Sequence, residues 1–130
     1  MVGKTQELHL GQLFMVGFPG AEPPAPFLEF IGEDAVGGVI LFEENCPSHQ
    51  QTRENIERLR KASRSPHLLI AIDQEGGRVS RLRGAPAEFR AAGDYAREDN
   101  GLEHFKEDYR RSAVYMESLG INLNLAPVAD

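Results

Sequence analysis

The apolar positions of this chain fall into short unbroken runs, separated by stretches with helical periodicity. LFMVGF (13–18) is one such run; it stops at Pro19 and Gly20, which reads as a strand followed by a turn. The prolines of EPPAP (22–26) remove backbone donors and fix φ, so that segment is no helix interior, and PFLEFIGED (26–34) can form a short helix after it. GGVILF (37–42) and LLIAID (68–73) are apolar, β-branched and unalternating, as strands buried on both faces of a parallel sheet are. Between them Ile56, Leu59 and Ala62 share one face of a predicted helix, with Glu54/Arg58 and Glu57/Lys61 at i,i+4 on its surface. Ser48 with Gln51 three residues later is a capping-box pattern for its start, and SRSP breaks it.

Residues 88–100 mix both periods and predict short helical pieces and loop. Asn100 with Glu103 can cap a further helix, along which Leu102, Phe105, Tyr109, Ala113 and Met116 keep helical spacing up to a natural stop at Gly120. In INLNLAPVAD (121–130), Ile121, Leu123 and Leu125 point one way and Asn122 and Asn124 the other. Alternating strands and helices imply a parallel sheet with helical cover, either an open doubly wound sheet or a (β/α)₈ barrel. The two asparagines favour the barrel, because helices cover its outside and the opposite parity then faces an interior that can be polar at the site end. A barrel needs about eight strands, and only four are legible here. The expected fold class is therefore α/β, the N-terminal half of a (β/α)₈ TIM barrel, as a single truncated domain over 1–130. Open strand edges and an uncovered interior predict that such a piece dimerises or is poorly soluble.

Composition narrows the function. A formal charge of −6 argues against a general nucleic-acid binder. The only cysteine, Cys46, excludes an internal disulfide framework and a multi-cysteine zinc site, and it fits a reducing compartment. No apolar run is long enough to span a bilayer, and MVGKTQELHLGQ lacks the basic and apolar regions of a signal peptide, so a cytoplasmic location is the default. Neither the dinucleotide G-x-G-x-x-G spacing nor a P-loop occurs, so no cofactor is expected. His9, His49, His67 and His104 are scattered without metal-ligand spacing, so no metal is expected either. Cys46 follows the second strand and reads best as an inert loop thiol.

The candidate chemistry lies in AIDQEGGRVSRLRG (71–84), where an apolar strand runs into acids, glycines and arginines. Asp73 ends the strand, the end at which parallel α/β folds bind ligands; it can accept from hydroxyls, work as an acid or base, or merely cap the next turn. Gly76 and Gly77 suit a tight turn or a close approach of backbone to ligand. Arg78, Arg81 and Arg83 carry donor forks suited to carboxylates and sugar hydroxyls. With Asp73 and Glu75 nearby they also read as an ion-pair network bracing the loop; the expectation is that one faces ligand and the others pair with acids. A phosphate site stays open as an alternative. Asp130 repeats the pattern of an acid closing a strand.

These residues, with GGVILFEENC before them and GINLNLAPVAD after, resemble the N-terminal barrel domain of glycoside hydrolase family 3, in particular its bacterial β-N-acetylhexosaminidase branch. The D-x-E-G-G-R-V-x-R motif carries the resemblance, which runs from about Leu10 to Asp130. It implies a retaining hydrolase of terminal β-linked sugars acting through a covalent glycosyl–enzyme intermediate. It implies that the nucleophilic aspartate, the acid/base histidine and a K-H sugar-holding motif all lie past residue 130. By motif, Asp73 accepts from hydroxyls of the non-reducing sugar and Arg81 reaches the same ring. Glu75, Gly76, Gly77 and Arg78 support the loop, and Asp130 matches the aspartate ending strand four. The implied partner is a small carbohydrate, drawn in this branch from peptidoglycan recycling. A β-glucosidase or β-xylosidase type, or a non-catalytic carbohydrate-binding half-barrel, are the alternatives.

Overall fold

The computed structural model describes residues 10–33, 36–84 and 86–128. Four parallel strands form one sheet in chain order: β1 (Met15–Val16), β2 (Gly38–Leu41), β3 (Leu69–Ile72) and β4 (Leu123–Asn124). The crossovers run through α1 (Ala25–Glu33), α2 (His49–Ala62) and α4 (Gly101–Leu119), and a single turn, α3 (Ala92–Tyr95), interrupts the long connection after β3. This is the arrangement of the N-terminal half of a (β/α)₈ barrel. Every strand ends on the same side, so the loops after Val16, Leu41, Ile72 and Asn124 gather at one rim.

One face of the sheet carries Val39, Leu41, Ile70 and Ile72, all fully buried against Ile31 of α1, Ile56 and Leu59 of α2, and Met116 and Leu119 of α4. The opposite face carries Ile40, Ala71 and Leu123, in register across β2, β3 and β4. Burying each large apolar side chain of the first face is worth about 1.5–3 kcal/mol, so the unalternating strands and the amphipathic helices specify each other.

The fourth strand departs from expectation. Asn124 stands in register with Ile72 and Leu123 with Ala71, so the asparagines share the helix-covered face of the sheet and do not line the interior. Their amides imitate peptide groups. Asn122 Oδ1 accepts the Ile70 amide at 2.7 Å and its Nδ2 donates to the Leu68 carbonyl at 3.2 Å. Asn124 does the same for the amide and carbonyl of Gln74, at 3.0 and 3.1 Å. A ladder of only two paired residues is thereby extended in both directions by side chains.

Other local signals hold in part. Ser48 Oγ accepts from the Gln51 amide at 3.2 Å, but the Gln51 side chain turns to Asn55, and the Thr52 hydroxyl donates to the Ser48 carbonyl instead. Asn100 occupies the cap position of α4 without a side-chain cap, and Glu103, engaged by Lys106, does not reach back to complete a capping box. Gly120 closes α4 at φ 93°. The first strand is shorter than LFMVGF: Leu10–Leu13 form a 3₁₀ turn, and the carbonyls of Gly11 and Phe14 both take the amide of Gly37.

Two buried asparagines bring the rim together. Asn45 Oδ1 accepts the Phe42 amide at 2.8 Å, and its Nδ2 donates to the carbonyls of Phe18 and Gly20 at 3.1 and 2.7 Å. Asn55 of α2 donates to the Ala21 carbonyl at 2.6 Å. The loop after β1 is thus tied to the loop after β2 by carboxamides, which satisfy backbone groups that no strand or helix pairs.

Candidate functional site

Asp73 leaves the end of β3 and Phe42 the end of β2, side by side at the rim. Arg81 returns to them from the following loop. Its Nη2 lies 3.6 Å from Asp73 Oδ2, and the two side chains are 25% and 23% exposed, so the pair is shielded yet reachable. The guanidinium also sits 6.0 Å from the centre of the Phe42 ring, within cation–π range. At 3.6 Å the ion pair is looser than a hydrogen bond, which leaves carboxylate lone pairs and guanidinium donors able to engage a third group. Arg81 Nε is buried and has no acceptor among the described residues. An unpaired buried donor costs about 1–3 kcal/mol, a cost that an acceptor from water or ligand would relieve; Tyr109 Oη, behind the loop, is a second such group.

Gln74, which the motif reading passed over, organises the loop. It is fully buried. Its Oε1 accepts the amides of Arg81 and Leu82 at 2.8 and 3.0 Å. Its Nε2 donates to Ser80 Oγ at 2.7 Å and faces the carbonyls of Ala87 and Leu82 at 3.0 and 3.3 Å. A polar residue directly after a buried strand was the available signal. Its partners lie in a loop that belongs to no helix or strand, so no hydrophobic period singles it out.

The glycines make a turn closed by the Gly76–Val79 bridge, with the amides of Glu75 and Gly76 both donating to the Val79 carbonyl. Gly76 and Gly77 have φ of 87° and 58°, and the Gly77 amide donates to the Phe89 carbonyl at 2.8 Å. Gly76 packs against Phe89 and Arg90, so its smallness serves the loop's own backbone. Expected ion-pair bracing is only partly found. Arg83 does pair, bidentately, but with Glu43 after β2, at 2.9 and 3.3 Å, and those bonds hold the Glu43 carboxyl below its usual range. Among the described residues, the side chains of Glu75 and Arg78 make no hydrogen bond or ion pair; support comes from Gln74 and the backbone turn instead. Asp130 lies outside the described residues.

Behind the loop, Phe89 packs on Tyr109 and Tyr109 on Phe105, with ring centres 4.7 and 4.2 Å apart. Arg90 lies 4.2 Å from the Tyr95 ring centre and pairs with Glu98, which also meets His104 Nδ1 at 3.0 Å; together they hold Glu98 down at about 2. Tyr95 donates to Asp108 at 2.6 Å. His104 and His49, the latter 3.2 Å from the Tyr115 hydroxyl, serve surface contacts of α4. Among the described residues, no group of three or more His, Cys, Asp or Glu side chains is placed to hold a metal ion, and no helix is long and apolar enough to cross a membrane.

Burial pushes the Cys46 thiol up to about 11. The thiolate is the nucleophile, so Cys46 is expected to alkylate slowly with iodoacetamide near neutral pH and quickly once the chain is unfolded in urea. Folded and unfolded rates that agree would show the thiol to be unprotected.

A strand-end carboxylate, a neighbouring arginine and a rim aromatic thus stand together at one end of a parallel sheet in a barrel-type α/β domain. A family model, the glycosyl hydrolase family 3 N terminal domain, matches residues 5–130, and the chain belongs to that family. A beta-hexosaminidase of Photobacterium profundum is 37% identical over 116 residues, covering 89% of this chain and 34% of that protein. A family 3 β-N-acetylglucosaminidase structure from Paenibacillus sp. str. FPU-7 is 34% identical with a TM-score of 0.81, over 96% of this chain and 24% of that one. A β-N-acetylhexosaminidase structure from Beutenbergia cavernae DSM 12333 is likewise 34% identical, with a TM-score of 0.76, over 92% and 36%. The chain thus spans about a third or less of the length of these relatives.

Proposed function

We propose that this chain forms one wall of the sugar pocket of a retaining β-N-acetylglucosaminidase. Asp73 accepts hydrogen bonds from hydroxyls of the non-reducing sugar, and Arg81 donates to the same ring. The observation that carries this reading is the shielded Asp73–Arg81 pair with the buried Nε of Arg81 left unpaired at the strand-end rim. The relatives named for hexosaminidase and N-acetylglucosaminidase activity support the substrate class. Glu75, Gly76, Gly77 and Arg78 make up the turn through their backbone, and Asp130 is matched to the family's aspartate by motif alone. The nucleophile and the acid/base are assigned to no residue of this chain; the family resemblance puts both past residue 130. Binding energy collected here at non-reacting hydroxyls positions the ring for attack by groups elsewhere in the protein.

The setting we infer, from the family resemblance, is cytoplasmic turnover of peptidoglycan fragments; the bacterial relatives named beta-hexosaminidase support the sugar class of that reading. One relative is described as a secreted glycosyl hydrolase, and cell fractionation decides between the locations. Association of the chain through its strand edges belongs to the same reading. The intact protein is expected to hydrolyse a nitrophenyl N-acetyl-β-glucosaminide well ahead of the matching glucoside and xyloside. Preference for the glucoside or xyloside would move the protein to another branch, and no hydrolysis with sugar still bound would leave a binding half-barrel.

A further inference from the structure

We infer that Gln74 is a positioning residue: its buried carboxamide fixes Arg81 against Asp73 and so sets the geometry of the proposed sugar contact. The inference rests on the sugar-site reading for its consequence, but its structural content stands by itself. Asp73 is placed by β3. The next peptide is held from the other side, since Asn124 bonds both the amide and the carbonyl of Gln74. The side chain then spans the loop to the backbone that carries Arg81, where Oε1 takes the Arg81 and Leu82 amides. Segment 80–84 belongs to no strand or helix. Ser80, Leu82 and Ala87 converge on Nε2, although that nitrogen has only two hydrogens, so the carboxamide is saturated as donor and acceptor. Both halves of the ligand pair therefore depend on one residue: Asp73 through the adjoining peptide, Arg81 through the carboxamide.

Chemistry of the carboxamide supplies the test. Gln74→Glu is isosteric. Its neutral acid keeps an accepting C=O and one O–H in place of two N–H hydrogens, with the Ser80 hydroxyl free to donate in turn, whereas the carboxylate only accepts and is forced against the carbonyls of Leu82 and Ala87. Burial and those carbonyls disfavour the charged form, the Arg81 and Leu82 amides favour it, and the charges of Arg81 and Asp73 nearby oppose one another; the new group is neutral at low pH and loses its fit as pH rises. In the intact protein, N-acetylglucosamine affinity measured by calorimetry is expected to match wild type near pH 5. It should fall about tenfold or more relative to wild type near pH 8, the effect of losing one or two buried hydrogen bonds. Amide exchange at Arg81 and Leu82 should accelerate over the same range in the variant alone. A purely structural role predicts a loss of stability with no pH-dependent change in relative affinity, and that result overturns the inference, as does unchanged affinity throughout. If Gln74→Glu does not fold, Gln74→Asn, which keeps a neutral amide one methylene short, should weaken sugar binding at every pH and speed Arg81 exchange; unchanged binding again overturns the inference. Wild type that fails to bind N-acetylglucosamine sinks the sugar-site reading instead, and exchange at Arg81 and Leu82 then decides alone whether Gln74 holds the loop.

Discussion

Replacing Asp73 by asparagine in the intact protein is expected to cut kcat/KM for an N-acetylglucosaminide by about a hundredfold or more, the scale seen when a site built on hydrogen bonds loses one. The change keeps size and one acceptor. It removes the charge and turns an amide donor toward either Arg81, 3.6 Å away, or the sugar. Arg81→Lys should lose a similar factor, because an ammonium supplies neither the planar fork nor the Nε–H that is buried without a partner. The double variant should fall well short of the product of the two losses, since side chains in contact do not act independently. Steady-state kinetics with direct sugar titration reads all three. Affinity within about twofold of wild type for either single variant would remove these residues from the substrate wall.

Gly76→Ala is expected to destabilise the fold by about 2–4 kcal/mol, read from the urea midpoint at unchanged m-value. Two effects add. With φ at 87° an alanine is strained, and its methyl would stand 2.6 Å from the Phe89 ring and against the Arg90 carbonyl. Gly84 separates them: its φ is 82°, but a methyl placed there meets nothing within 4 Å among the described residues, so Gly84→Ala carries only the conformational cost. That cost is about 1–2 kcal/mol. Equal losses at both positions would show that the packing against Phe89 contributes nothing.

The parts of this molecule written in the sequence are those with a regular period. β2, β3 and α2 follow from apolar runs and helical spacing, and Gly120 from the left-handed stop it provides. Family membership follows from one motif around Asp73. What escaped is the set of buried carboxamides and the loop pairings. Asn122 and Asn124 alternate as an interior-facing pair would, yet they lie on the other face and bind backbone, because a short side-chain amide beside an under-paired strand does better as a substitute peptide than as a pocket lining. Gln74, Asn45 and Asn55 are equally silent in the sequence, since a buried carboxamide looks like any surface one until its partners are known. The arginines show the converse difficulty: composition reveals three cations near two acids, but not that Arg83 reaches across to Glu43 while Glu75 and Arg78 stand apart. Loop geometry decides such pairings, and loop geometry is what hydrophobic patterning leaves open.

The pairing at the rim has an electrostatic consequence. Arg81 already has Asp73 within 3.6 Å, and Arg83 has Glu43 within 2.9 Å. Each of these cations carries its own counter-charge, so the two pairs project little net field beyond their own dimensions. A free phosphate approaching these pairs gains less from each cation than it would from a lone one, because the neighbouring carboxylate repels it. An uncharged sugar pays no such penalty, because it can bond to donor and acceptor together without separating them. On this reading the two pairs favour a neutral ligand over an anion, and dissolved salt, which acts on unbalanced charge, has little in the pairs themselves to screen.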